Sequence, residues 1–86
     1  MPEISRFLGV VVKMFVDDHN PPHFHAEYGG SAALIEIRTL AAFSGRLPPR
    51  VLGLVIEWAT IHQEELLADW ERAQSHLGLR KIAPLE

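Results

Sequence analysis

The sequence predicts an α+β fold: a small antiparallel sheet of three to four strands, followed by one long helix packed on one of its faces. Three observations predict it. Apolar residues alternate with period two through the first half of the chain. The pair Gly29-Gly30 sits between two such alternating runs and supplies a hairpin loop, because both positions tolerate positive φ. From Pro49 onward the apolar period lengthens to about 3.6, the signature of a helix.

The first strand is read over Leu8 to Val16, which is rich in β-branched residues. Val10, Val12, Met14 and Val16 share one face, and Val11, Lys13 and Phe15 the other. It stops at Asp17-Asp18-His19-Asn20-Pro21-Pro22, a dense turn signal whose prolines cannot donate to a sheet. His23 to Tyr28 forms the second strand and Ser31 to Ile37 the third. A Gly29-Gly30 loop pairs Tyr28 with Ser31, Ala26 with Ala33 and Phe24 with Ile35. On the opposite face, His25 then lies across from Leu34 and His23 across from Glu36. Thr39 to Phe43 is read as a short fourth strand ending at Ser44-Gly45.

Val51, Val55, Trp58, His62, Leu66, Trp70, Ala73 and Leu77 form one stripe of a single helix over 49–77. Proline at its start suits the first turn, and Gly78 suits the C-terminal cap. Such a helix would be about 42 Å long at 1.5 Å per residue. It must therefore bend near Thr60-Ile61-His62 or project toward a partner. Leu52, Leu54, Ile56, Ile61, Leu67 and Leu77 lie off or at the edge of the stripe. They point to a docking surface for a small protein or for a second copy of the chain, centred on Trp70 and Leu67. If the helix instead breaks near His62 and folds back, those residues are buried within one chain.

Composition bounds the chemistry. A chain of 86 residues allows one domain, 1–86. Its 48% hydrophobic content excludes intrinsic disorder. With no Cys there is no disulfide framework, thiolate metal site or thiol nucleophile, which suits a reducing cytoplasm. The opening residues Met1 to Arg6 and the apolar run after them, interrupted by Lys13, read as neither a secretory leader nor a membrane span. A net charge of −3 argues against a strongly basic nucleic-acid binder. The deficit lies wholly in 51–86, with three Lys/Arg against six Asp/Glu, while 1–50 carries five of each. An acidic partner would therefore meet the N-terminal half.

The candidate chemistry concentrates in Asp17 to His25, with three His and two Asp in nine residues. On a strand, His23 and His25 point to the same side with Cα atoms about 6.5–7 Å apart. Such a pair suits acid–base catalysis. It also suits a shared metal ion, with His19 or an Asp as third ligand. It suits phosphate binding too, with Lys13, Arg38 and Glu27 nearby. In the purely structural reading, Asp18 and Asn20 cap turns and the imidazoles pack as half-buried edges. His62, between Trp58 and Trp70, reads as a core histidine, and Glu64, Glu65, Asp69 and Glu71 as a solvated face.

Asp-His-Asn-Pro-Pro-His-Phe-His at 18–25, then Gly29, Ile35, Ile37, Gly45, Leu47-Pro48, Glu57-Trp58, His62, Glu65-Leu66 and Trp70, resemble the small bacterial family catalogued as domain of unknown function 4160. The resemblance covers nearly the whole chain. It implies a cytoplasmic bacterial protein of about this length, encoded beside a second small domain in an arrangement similar to a toxin–antitoxin pair. The expectation is a toxin-like protein acting on RNA as a small, metal-independent ribonuclease with no cofactor. His23 and His25 would serve as acid and base, with Asp18 and His19 beside them and Lys13 or Arg38 steadying the phosphorane charge. Its partner would be a cognate antitoxin-like protein, with no membrane contact. A non-catalytic binding module, and a metal protein using His19, His23 and His25, are the alternatives.

Overall fold

The computed structural model describes residues 3–85. Met1, Pro2 and Glu86 lie outside it, the first two in the segment read above for a leader. Five strands precede two helices: β1 (Glu3–Phe7), β2 (Val10–Lys13), β3 (His23–Tyr28), β4 (Ser31–Glu36), β5 (Ala42–Arg46), α1 (Pro49–Ile61) and α2 (Gln63–Gln74). The strands form one antiparallel meander in the order β1-β2-β3-β4-β5. No helix among the described residues is long and apolar enough to cross a membrane.

The central hairpin has the predicted register throughout, from Tyr28 opposite Ser31 to His23 opposite Glu36. The flanks differ from the sequence reading. The single strand expected over Leu8 to Val16 is only β2, and β1 was not expected. Leu8 and Gly9 both take positive φ, 49° and 83°, and turn the chain between β1 and β2. This is the two-residue hairpin geometry that matches strand twist. Leucine at its first position hid it. The final strand is also displaced, from Thr39–Phe43 to Ala42–Arg46. Residues 36–41 are needed to reverse the chain, closed by Glu36 N–H to the Ala41 carbonyl at 2.9 Å and Leu40 N–H to the Glu36 carbonyl at 2.8 Å. Gly45 lies inside β5 rather than ending it: at φ 76°, it passes so close to β4 that a Cβ there would come within 2.2 Å of the Ala32 carbonyl oxygen.

The predicted single helix is two. The break falls at His62 (φ −112°, ψ 23°), within the stretch named for a bend, the first of the two alternatives. The longest dimension of the molecule is 34 Å, too short for a straight 49–77 helix. The chain passes through the kink with hydrogen bonds intact, His62 N–H to Trp58 and Leu66 N–H to His62. The cap at Gly78 is corrected as well. α2 ends at Gln74, and His76 supplies the left-handed residue at φ 59°. Leu77 N–H bonds to the Arg72 carbonyl and His76 N–H to the Ala73 carbonyl, a Schellman closure.

The core forms where the helices cover the Phe24 face of the sheet. Val10, Val12, Phe24, Ala26, Ile35 and Ile37 join Val51, Val55, Trp58 and Leu66 in one buried cluster. Trp58 anchors it, with ring centroids 5.4 Å from Phe7 and 5.9 Å from Phe24. Of the residues off the stripe, Leu52 and Leu67 pack against this cluster, whereas Ile61 and Leu77 stay exposed. Trp70 is buried within its own chain, not on a docking surface as predicted. The segment after α2 returns across the molecule. It is tied by Trp58 Nε1–H to the Ala83 carbonyl and by Ile82 N–H to the Ile4 carbonyl, both 2.8 Å, the latter on the outer edge of β1.

Asp69 belongs to the same tie. It was read as solvated but is only 2% exposed. Its Oδ1 accepts Arg80 N–H at 2.9 Å, and its Oδ2 has no hydrogen-bond partner. Burial raises its pKa above the usual carboxylate range, against the lowering effects of the Arg80 amide and of Arg72 and Arg80.

Two stability predictions follow from these positions. Gly45→Ala should cost about 2 kcal/mol or more in urea unfolding, since a left-handed backbone and a carbonyl contact both oppose a side chain. For Asp69, a folded pKa above the unfolded one means its stabilising contribution is complete below the ordinary carboxylate pKa. That contribution is lost as pH rises through the folded value. Asp69→Asn carries no such titration, so its stability relative to wild type should grow as pH is raised from 4 to 8. Parallel unfolding curves across that range check this.

Candidate functional site

Alternation along β3 sends Phe24 into the core and His23 and His25 to the other side. The two imidazoles differ more than the sequence implied. Both were expected to share a solvent-accessible face with Glu27. His25 is half-buried, whereas His23 is only 6% exposed. Trp70 of α2 and Phe43 of β5 close over His23, with ring centroids 5.3 and 5.4 Å away. Phe15 stands edge-on to His25 at 4.7 Å.

Asp18 reaches both rings. Its Oδ2 lies 2.9 Å from His25 Nε2 and 3.4 Å from His23 Nε2. One ligand atom from each of Asp18, His23 and His25 lies within 4.8 Å of the others. The loop carrying Asp18 is held at both ends. Its backbone carbonyl accepts Gln74 Nε2–H from the end of α2 at 3.2 Å. At the other end Ile37 N–H donates to the Pro22 carbonyl at 2.9 Å. The Asn20–Pro21 bond between them is cis.

Hydrogen-bond grammar fixes the rings. His23 Nδ1 is 2.8 Å from the Pro21 carbonyl, which can only accept, so Nδ1 carries the proton. In a neutral ring this leaves Nε2 with a lone pair aimed at a carboxylate oxygen. Two acceptors at 3.4 Å repel unless a cation, whether a proton or a metal ion, lies between them. His25 Nε2 donates to the same oxygen. Cis ligands on an ion with bonds of about 2.0–2.1 Å are separated by about 2.9 Å at 90° and about 3.4 Å at the tetrahedral angle. The two distances from Asp18 match that interval.

The other candidates are placed differently. His19 is exposed on the same loop and outside the cluster, so the ligand set expected from His19, His23 and His25 is corrected to Asp18, His23 and His25. Lys13 does lie beside His25 in register, but its ammonium is engaged with Glu27 at 3.0 Å. The two neutralise each other on the open sheet face. Arg38 is exposed in the turn after β4. Among the described residues, its side chain makes no hydrogen bond or ion pair with the histidines. Leu67 is half-buried against the core, and His62 is half-buried with Nδ1 2.6 Å from Glu65 Oε1. Phe43, Trp70, Gln74 and the Pro21 carbonyl are the site components that the sequence reading missed. Only Phe15 carried a signal, through its shared face with Lys13.

Fold and site together define a small α+β protein in which an antiparallel meander presents two histidines and one carboxylate at the start of its central strand. The chain belongs to the family described as Domain of unknown function (DUF4160), whose model matches residues 9–71. No match to the chain is found among curated proteins or among solved structures.

The tautomer assignment is directly measurable. Long-range 1H–15N spectra under alkaline conditions should show His23 as the Nδ1–H form. An Nε2–H signal from His23 would remove the Pro21 hydrogen bond and with it the lone pair aimed at Asp18.

Proposed function

We propose that this protein binds a zinc-type divalent cation through Asp18, His23 and His25 and uses it in the cleavage of phosphodiester bonds. In this reading it is the toxin-like member of a two-gene module, silenced by a small antitoxin-like protein. The observation that carries the metal reading is the His23 lone pair facing the Asp18 carboxylate, with His23 fixed from behind by the Pro21 carbonyl. A ring whose remote N–H is held by a backbone carbonyl is the usual form of a metal-ligating histidine. Three protein ligands leave coordination positions for water and substrate. A bound ion of this kind polarises a phosphoryl oxygen and makes hydroxide available near neutral pH.

The geometry gives less support to a metal-independent acid–base pair. Asp18 Oδ2 lies against the Nε2 atoms of both rings, so a phosphate approaching both would meet a carboxylate first. His23 is also too deeply covered to exchange protons freely with a bulky substrate. With an ion in place the same carboxylate becomes an asset, because it offsets part of the metal's charge while leaving a net attraction for phosphate.

Calorimetric titration of tag-free protein with Zn2+ should give one site per chain. His25→Ala and Asp18→Ala should weaken it by about 100-fold or more, since even outer hydrogen-bond partners of metal ligands are worth 10–100-fold. His19→Ala should bind as wild type does. A stoichiometry near zero in the wild type removes the metal reading. In cells, toxicity on expression should be lost with His25→Ala while the folded protein still accumulates.

A further inference from the structure

We propose that the Asp18–His23–His25 centre receives a single-stranded nucleic acid, with a phosphate at the ion and the flanking bases stacked on Phe15 and Phe43. The proposal deepens the metal reading above and rests on it. Phe15 and Phe43 are 37% and 48% exposed, so part of each ring is open to a stacking partner. Both touch the ligand histidines. Phe15 meets His25 at 79° between ring planes, and Phe43 meets His23 at 89°. One exposed ring thus stands against each of the two imidazoles. A nucleic-acid strand repeats the same order, a flat base, an anionic phosphate and a flat base.

The Phe15 side is also concave. Phe15, Met14 and Val16 form one wall of a groove of about 450 Å3, and Leu77, Gly78 and Leu79 the other. Lys81 also lines it and offers a donor for a base edge, beside Glu3, whose carboxylate is held by Arg6. A groove with an aromatic wall and polar groups suits a nucleobase, because every base has a π-face to stack.

The missing basic surface is consistent with this mode. The net charge is −3, and Lys13 is committed to Glu27. Affinity would come from one phosphate on the ion and from stacking, not from a row of lysines. Its salt dependence would then be shallow, a slope of about 1–2 in log Kd against log salt instead of the steep slope of proteins that neutralise many phosphates.

The test uses the zinc-loaded protein and fluorescein-labelled hexamers whose length is checked after each measurement: 2′-O-methyl RNA, DNA of the same sequence, and a backbone carrying abasic sites. Fluorescence anisotropy reads binding, and a Zn2+ titration of every variant reads the metal site separately. Phe15→Ala and Phe43→Ala should each weaken hexamer binding to the zinc-saturated protein by about 5- to 100-fold, the range set by loss of one stacked base. Phe15→Trp and Phe43→Trp should retain it. Gly78→Leu provides a variant that leaves the rings alone. A Cβ at Gly78, which lines the groove, meets no atom within 4 Å, and the bulkier side chain should weaken hexamer binding while sparing zinc. The abasic hexamer should bind as weakly as the alanine variants do. Equal binding of RNA and DNA supports recognition through base and phosphate, and tighter RNA binding supports it with an added 2′-hydroxyl contact. Wild-type affinity in both alanine variants, or full affinity for the abasic hexamer, overturns the proposal even where zinc binds as expected. A wild type that takes no zinc overturns the metal reading itself. The stacking cradle then stands or falls on whether the alanine variants differ from wild type in metal-free binding.

Discussion

Phe24 has no solvent exposure, and its ring meets Trp58 edge to face. Because side chains alternate along a strand, that one burial determines where His23 and His25 point. Burying a phenylalanine is worth about 1.5–3 kcal/mol, and a one-residue slip of β3 would forfeit it while forcing two imidazoles into the core. The Gly29-Gly30 turn locks the same register from the other end of the hairpin. Hydrophobic burial thus fixes the positions of the polar groups on the opposite face. The candidate site is placed by its neighbour on the opposite face of the sheet.

The second constraint is long-range and comes from α2. Trp70 and Gln74 are one helical turn apart and so lie on one face of that helix. Trp70 packs on His23, and Gln74 holds the carbonyl of Asp18. Both groups reach β3 and its preceding loop only because the helix kinks at His62. A straight helix would carry its C-terminal half beyond the sheet, leaving His23 open and the Asp18 loop without its anchor. The kink, the buried ring of His23 and the close approach of Asp18 are therefore parts of one arrangement. The segment after α2 reinforces it, since Arg80 N–H to Asp69 and Arg72 Nε–H to the Gly78 carbonyl hold that segment against the helix.

What could be read in the sequence was what is local or strictly periodic. The Gly-Gly turn and the alternation of Phe24 with two histidines prescribe the central hairpin without reference to anything else. The extra strand at the N-terminus was hidden because Leu8 adopts positive φ, which leucine rarely does and which no pattern announces. β5 was misplaced because Gly45 looks like a terminator. Its role is instead to let two backbones approach more closely than any side chain permits. Asp69 looked like part of a solvated acidic face, and only the returning C-terminal segment buries it. For the site, His23, His25 and Asp18 were legible from spacing, but the choice of Asp18 over His19 was not. That choice depends on a loop conformation set by contacts from residues as distant as Gln74 and Ile37.

The electrostatics of the cluster bear on which ions can approach it. Two histidines alone on a sheet face would welcome a phosphate. Adding a carboxylate oxygen 2.9 and 3.4 Å from their Nε2 atoms reverses that preference wherever the rings are neutral, because both nitrogens then face a full negative charge. The Pro21 carbonyl strengthens the reversal by committing the His23 proton to Nδ1. Lys13, opposite His25 in the sheet register, is held by Glu27. While the rings are neutral, an anion approaching the two Nε2 atoms meets that negative charge first, whereas a cation is attracted to it. Phe15 and Phe43, uncharged and edge-on to the two rings, flank the centre without disturbing that balance.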